Sequence, residues 1–154
     1  MKHIMNRFFL TLSTMGPIGY FKAPGTMASL FSLPIIFCMH RLSLPMYLMV
    51  VVLSFCIAFI GIKKSLLFFK KHDPSEIVID EYVGCLVTFL AFPKTLVTLF
   101  WGFIFFRFFD IAKCWGIKSC ERLHGALGVL CDDVLAGVFA NIFLHIFFFL
   151  MSYV

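Results

Sequence analysis

Long stretches without a charged side chain are the feature that most constrains this chain. Eighteen uncharged residues lie between Lys22 and Arg41, 21 lie between Arg41 and Lys63, and 21 follow Asp133. A helix needs about 20 apolar residues to cross the hydrocarbon layer of a membrane. The chain has 154 residues, 62% hydrophobic and 14% charged, which is more apolar surface than a soluble domain of this size can bury. The sequence therefore predicts a membrane protein with one domain over residues 1–154.

The spacing of charges and turn signals predicts an all-α fold, a small multi-pass membrane bundle of about five hydrophobic helices. The predicted helices cover residues 24–40, 44–62, 77–92, 95–112 and 134–154. Phe92-Pro93-Lys94 is the turn signal between the third and the fourth. The shorter helix 77–92 either spans the membrane or packs as a re-entrant core helix.

Basic residues predict the orientation and the partner of the bundle. Lys63, Lys64, Lys70 and Lys71 form the densest basic cluster beside a predicted span, so we expect the 63–81 loop to be cytoplasmic. The formal net charge is +5, but the basic residues are scattered among apolar stretches. This distribution favours a membrane surface and argues against nucleic acid as a partner.

All acidic residues fall within one window of the chain, and the predicted topology places them at or near the cytoplasmic interface. They are Asp73, Glu76, Asp80, Glu81, Asp110, Glu121, Asp132 and Asp133. Carboxylates near hydrocarbon are costly and usually pair, bind an ion or take part in chemistry. We therefore expect a polar active site on the cytoplasmic face.

The first acidic group begins at Asp73-Pro74, which is typical of a capped helix start. In such a helix Glu76 and Asp80 would share one face, where a divalent cation would relieve their repulsion. Gly84 would leave the same face open to a close neighbour. The alternative is a capped and solvated helix start.

The second group, Arg107, Asp110 and Lys113, recurs every three residues and so shares one face of a helix. Arg107 can bind a phosphate with two parallel hydrogen bonds, and Lys113 can add a point charge. Asp110 could orient Arg107, bind a metal or attack a substrate. An ordinary ion pair at the membrane boundary is the alternative.

The third group places Asp132 and Asp133 at the start of the last predicted span, shortly after His124. Adjacent carboxylates suit a hard cation such as Mg²⁺. As residues of a helix N-terminus they would also interact well with the helix dipole. A single histidine such as His124 is more often structural than catalytic.

A fourth motif, Gly16 to Ser29, has no acidic residue. Its glycines and prolines predict irregular structure up to Gly25, followed by a helix capped by Thr26 or its neighbour. Free N–H groups at such a helix start can bind an anion, with Lys22 close by. A plain re-entrant turn is the alternative.

Together the four motifs resemble the phosphatidylglycerophosphatase A family of membrane lipid phosphatases. The matching stretches are Gly16 to Ser29, IVIDEYVGCLVT from Ile77, FRFFDIAK from Phe106, and LHGALGVLCDDVLAG from Leu123. Their order and spacing fit nearly the whole chain. The chain departs from the usual family pattern at Ala28, where a glycine is common, and after Lys113.

The resemblance implies a Mg²⁺-dependent enzyme that converts phosphatidylglycerol phosphate to phosphatidylglycerol and phosphate at the cytoplasmic side of a bacterial inner membrane. On this interpretation Glu76, Asp80, Glu81, Asp132 and Asp133 bind the metal, and Arg107, Asp110 and Lys113 are catalytic. The residues expected to bind substrate are Lys22, Gly25, Thr26, Ser29 and His124. The sequence leaves open whether Asp110 or an activated water molecule attacks phosphorus, and it does not predict the oligomeric state.

A small cation transporter or channel subunit is the alternative from another functional class, because transporters also use intramembrane carboxylates. Its acidic residues should lie at the middle of the spans, whereas here they lie near one interface. A CDP-alcohol phosphotransferase would carry a DGxxAR motif, and the chain has none.

Overall fold

The computed structural model describes residues 2–69, 74–113, 120, 123 and 125–152, with side chains from residue 7 onward. Within these ranges the regular structure is helical. The α-helices are α1 (Lys2–Ser13), α2 (Pro24–Cys38), α3 (Leu44–Ser65), α4 (Ile79–Thr88), α5 (Leu96–Ala112) and α6 (Ala126–Met151). Short 3₁₀ helices at Ile18–Tyr20, Met39–Arg41 and Leu66–Phe68 flank them.

The helix α4 lies at the centre of the bundle and packs against α2, α3, α5 and α6. Val83 and Leu86 of α4 are fully buried in the core, as is Phe89, which follows the helix. The helix α1 packs along α3, where Ser65 Oγ donates a hydrogen bond to the Phe9 carbonyl and lies 3.0 Å from Ser13 Oγ. The core therefore forms around a short central helix.

Glycines allow α4 and α6 to approach closely. A β-carbon at Gly84 would overlap the Phe106 ring and the Asp133 carbonyl, and one at Gly137 would overlap the Gly84 carbonyl. The prediction that Gly84 admits a close neighbour is thus confirmed. This contact brings the first turn of α4 beside the second turn of α6.

The outer surface of the bundle is apolar. Exposed leucine, isoleucine, valine and phenylalanine side chains cover the outer faces of α2, α3, α5 and α6. Two segments, Leu44–Phe68 and Ala126–Met151, are long and apolar enough to cross a membrane. At ten residues, α4 extends only about 15 Å, about half the thickness of the hydrocarbon layer, and so is not a spanning segment.

The C-terminal end of α4 is buried, and side chains from other helices satisfy its backbone. Asn141 Nδ2 donates to the carbonyls of Thr88 and Leu90 at 2.9 and 2.8 Å. The Tyr47 hydroxyl donates to the Leu86 carbonyl at 2.9 Å. These contacts replace the hydrogen bonds that a helix end loses away from water.

Three predictions about the starts and caps of helices were wrong. The last helix begins at Ala126, so Asp132 and Asp133 lie in its second turn rather than at its start. Pro74 precedes a turn and α4 begins at Ile79, so Glu76 does not share a helical face with Asp80. The helix α2 begins at Pro24, as the predicted range 24–40 has it, but neither Thr26 nor another side chain caps it.

Candidate active site

A polar cavity of about 240 Å³ opens between the ends of α2, α4, α5 and α6. We call it the polar cavity. Its lining residues are Ala23, Pro24, Gly25, Thr26, Pro74, Ser75, Ile77, Asp80, Glu81, Arg107, Asp110, Lys113, Val129, Asp132 and Asp133. Five of these are acidic and two are basic, so the fold gathers motifs that are far apart in the sequence.

Three carboxylates form the centre of the polar cavity. Asp80 and Glu81 come from the first turn of α4 and Asp133 comes from α6, and one oxygen of each lies within 4.8 Å of the others. Oxygens of Asp80 and Glu81 are buried without a hydrogen-bond partner. Buried carboxylate oxygens this close together repel one another and match the oxygen ligands that hard divalent cations prefer. The arrangement therefore fits a metal cofactor.

Burial also changes the protonation of the two carboxyls on α4. Burial raises the pKa of Asp80 well above its ordinary value, and the neighbouring Glu81 raises it further. Burial raises the pKa of Glu81 to about 7. Without an added positive charge these carboxyls hold protons more tightly than exposed ones do, so a bound cation has to displace protons.

The basic side chains of the cavity come from the C-terminal end of α5. Arg107 Nη1 lies 2.5 Å from Asp110 Oδ2, and Lys113 Nζ lies 3.0 Å from Asp132 Oδ2. Lys113 follows the helix in a left-handed conformation with φ of 44°, which ends the helix. Arg107 and Asp110 share a face of α5 as expected, whereas Lys113 lies beyond the end of the helix. All three line the cavity, and each basic group has a carboxylate beside it.

The start of α2 closes the cavity from the other side. A β-carbon at Gly25 would overlap Glu81 Oε1 and lie 3.3 Å from Arg107 Nη1. Ser29 Oγ accepts a hydrogen bond from Arg107 Nη1 at 3.4 Å and donates to the Gly25 carbonyl at 2.8 Å. The glycine therefore allows the helix start to approach both the acidic cluster and the arginine.

Comparison with known proteins decides the family. A sequence model of phosphatidylglycerophosphatase A matches residues 11–148, most of the chain. The chain belongs to the phosphatidylglycerophosphatase A family. It is therefore a phosphatase enzyme, and the family assignment favours the phosphatase over the cation transporter.

Individual relatives agree with the family. Phosphatidylglycerophosphatase A of Escherichia coli is 36% identical over 121 residues, which cover 75% of this chain and 68% of the relative. The Haemophilus influenzae protein of the same name is 33% identical over 127 residues, 78% of this chain and 76% of the relative. A putative phosphatidylinositol-3-phosphatase of Bacteroides thetaiotaomicron is 40% identical over 79 residues, 49% of each chain. No solved structure matches the chain.

Some residues expected from the phosphatidylglycerophosphatase A resemblance lie apart from the others. Glu76 lies in the turn before α4 and Lys22 is exposed before α2, and neither lines the polar cavity. His124 lies outside the described residues. Ser29 lies behind the lining and reaches the site through Arg107.

Several small lining residues, among them Ala23, Ser75 and Val129, were not predicted as site residues, although they lie in the motifs that the sequence offers. They carry no charge and no group that binds a metal or a phosphate through its side chain, apart from the Ser75 hydroxyl. Their position within six residues of motif residues already singled out is the signal that could have found them.

Proposed function

We propose that this chain removes the terminal phosphate of phosphatidylglycerol phosphate, giving phosphatidylglycerol and inorganic phosphate, as a step in phospholipid biosynthesis. The observation that carries the proposal is the polar cavity, in which basic groups lie beside an acidic cluster with unpartnered oxygens. The relatives named phosphatidylglycerophosphatase A support the substrate.

The metal in this proposal is Mg²⁺. Asp80, Glu81 and Asp133 would hold it, with Asp132 next to them as a further oxygen donor. A bound Mg²⁺ would offset negative charge on phosphate oxygens and activate water. Glu76 is outside this ligand set, because its position in the preceding turn leaves it out of the cavity lining.

The chain's own cations would orient the phosphate. Arg107 has a buried Nε without a partner, so its guanidinium retains a donor for a phosphate oxygen. Lys113 is half-buried and lines the same cavity. The first turn of α2 contributes the N–H groups of Gly25 and Thr26, which have no intrahelical partner in a helix start. A phosphate entering here would meet positive charge on two sides.

Asp110 has two roles open to it in this geometry. Its carboxylate could attack phosphorus directly, or it could hold Arg107 and accept a proton from an attacking water molecule. Rapid acid quenching of a turnover mixture with ³²P-labelled substrate distinguishes them, because only direct attack leaves labelled phosphate on the protein.

The proposed setting is the bacterial inner membrane, with the chain as one multi-pass domain and the polar cavity on the cytoplasmic side. Lys63 and Lys64 lie at the end of α3 that faces the cavity end of the bundle, whereas Arg41 and Lys94 lie at the other end. An excess of basic residues marks the cytoplasmic side. The apolar outer surface fits burial in lipid.

Phosphate release from phosphatidylglycerol phosphate in mixed micelles tests the proposal. We expect the purified chain to release phosphate with Mg²⁺ and not with a chelator. The Asp80→Asn variant should lose at least about 10³-fold in kcat/KM, because one ligand and one charge are removed from the metal cluster. Normal activity in that variant would contradict the metal assignment.

Phosphatidylinositol 3-phosphate is the comparison substrate, because the name of the Bacteroides relative points to it. We expect a higher kcat/KM for phosphatidylglycerol phosphate. The reverse preference would support a lipid phosphatase whose substrate is phosphatidylinositol 3-phosphate.

A further inference from the structure

An apolar groove of about 420 Å³ lies beside α4, away from the polar cavity. Three elements form its walls. Phe8, Thr11, Leu12 and Met15 come from α1 and the turn after it, Ile35 comes from α2, and Ile79 and Tyr82 come from α4. No charged side chain is among these residues, so the groove is suited to a hydrocarbon ligand.

The groove and the polar cavity lie on different faces of the first turn of α4. Ile79 and Tyr82 line the groove, and Asp80 and Glu81, which lie between them in the sequence, line the cavity. The Val78 N–H donates to the Ser13 carbonyl at 2.9 Å, which fixes the end of α1 at the first turn of α4. One end of the groove therefore lies at the level of the acidic cluster.

The other end of the groove extends along α2. Gly25 lines the polar cavity and Ile35, ten residues later on the same helix, lines the groove. Ten helical residues span about 15 Å. The groove thus runs from the carboxylate level toward the opposite end of the bundle, as a lipid chain does below its head group.

We propose that this groove binds one acyl chain of the lipid substrate while the phosphate of the same molecule occupies the polar cavity. The inference rests on the proposed function and adds to it a site for the apolar part of the substrate. The acyl chain already lies in an apolar environment before binding, so the groove adds little hydrophobic free energy. Its effect is to orient the substrate so that the phosphate meets Arg107 and the carboxylates.

Substitutions that fill the groove provide the test. Ile35→Trp and Thr11→Trp add bulk at two walls, and both side chains are partly exposed, which lets the fold accept them. Leu30→Trp is the matched control, because Leu30 is also an exposed aliphatic residue of α2 and does not line the groove. The substrates are long-chain phosphatidylglycerol phosphate in mixed micelles and its water-soluble deacylated form.

We expect both groove variants to lower kcat/KM for the long-chain lipid at least about fivefold and to leave hydrolysis of the deacylated form unchanged. The Leu30→Trp control should match the wild type with both substrates. Equal losses with both substrates, or no loss with the lipid, would overturn the groove proposal while the phosphatase stands. A wild-type chain that hydrolyses neither substrate would instead refute the proposed function, and the groove proposal with it.

Discussion

The two ends of the bundle use buried polar groups in opposite ways. At the end away from the polar cavity, Asn141 and Tyr47 donate to carbonyls of α4, and Lys94 Nζ lies 3.9 Å from the centre of the Tyr47 ring. At the cavity end, Asp80 Oδ1, Glu81 Oε2 and Arg107 Nε are buried without a partner. Among the described residues, buried side-chain atoms of this kind occur only at the cavity end.

The difference distinguishes polar groups that stabilise the fold from polar groups that are available to a ligand. A buried polar group without a partner costs about 1–3 kcal/mol, so it persists where a ligand supplies the missing contact. Polar groups that are already paired stabilise the fold and need no ligand. Substitutions at the cavity end should therefore affect catalysis, and substitutions at the other end should affect stability.

The largest expected effect comes from Asp133→Asn at the cavity end. It should lower kcat/KM for phosphatidylglycerol phosphate by about 10³-fold, because the proposed metal site loses a charged ligand. The melting temperature without Mg²⁺ should be equal or higher, because repulsion among the three carboxylates is reduced. Phosphate release and thermal unfolding in detergent measure the two effects. A variant that unfolds, or one that keeps full activity, would contradict the distinction between the two ends of the bundle.

Asn141→Leu at the other end should show the reverse pattern. Two buried carbonyls at the end of α4 would lose their donor, so we expect the free energy of unfolding to fall by about 2 kcal/mol. Below its melting temperature the variant should keep most of its activity, since Asp80 and Glu81 lie at the opposite end of α4. Chemical unfolding in detergent measures the loss. The neighbouring exposed Ile142, changed to Leu, is the control and should match the wild type.

The third expected effect is the pH dependence of stability in Glu81→Gln. The pKa of Glu81 rises from 4.5 to about 7 on folding, so the stability linked to its proton is complete below pH 4.5 and is lost as the pH rises through 7. The variant has no such proton. Without Mg²⁺ it should exceed the wild type by about 1–3 kcal/mol at pH 8, and the difference should shrink as the pH falls to 5. Melting curves in chelator at both pH values measure this difference. A difference that does not change with pH would contradict the raised pKa of Glu81.

Mg²⁺ should reverse the order at pH 8. It stabilises the folded chain by binding to it, and the wild type keeps the ligand that the variant lacks. If Mg²⁺ raises both melting temperatures equally, Glu81 is outside the metal site.

The apolar helices were the most predictable part of the fold. The sequence predicts a helix over 95–112 and another from 44, and the structure has Leu96–Ala112 and Leu44–Ser65. Both begin beside a proline or a turn and run through uncharged residues, so local signals are enough. The last helix was predicted to begin after Asp133, because a count of consecutive uncharged residues takes a charged residue as the end of a span. It begins earlier because those carboxylates face a cavity rather than lipid.

The start of α4 depends on a contact that no local pattern contains. Pro74 resembles a helix start, yet the chain continues through a turn until Val78 donates to the Ser13 carbonyl. For the same reason the sequence predicts five carboxylates that line the cavity, but it also includes Glu76, which does not line it, and it does not predict every partner. Arg107 lies beside Asp110 as their spacing of three residues on α5 predicts, whereas the contact of Lys113 with Asp132 follows only from the packing of α5 against α6.

The hydrogen bonds of Asn141 to the end of α4 also constrain the order in which the parts of the protein fold during synthesis. The two partners are 53 and 51 residues apart in the chain, so α4 leaves the ribosome well before its donor does. Until then the last carbonyls of α4 need water or another hydrogen-bond donor, because lipid tails offer none. Asp133 comes from the same late helix. The helix α4 can therefore reach its final position, and the acidic cluster can become complete, only after the last helix has joined the bundle.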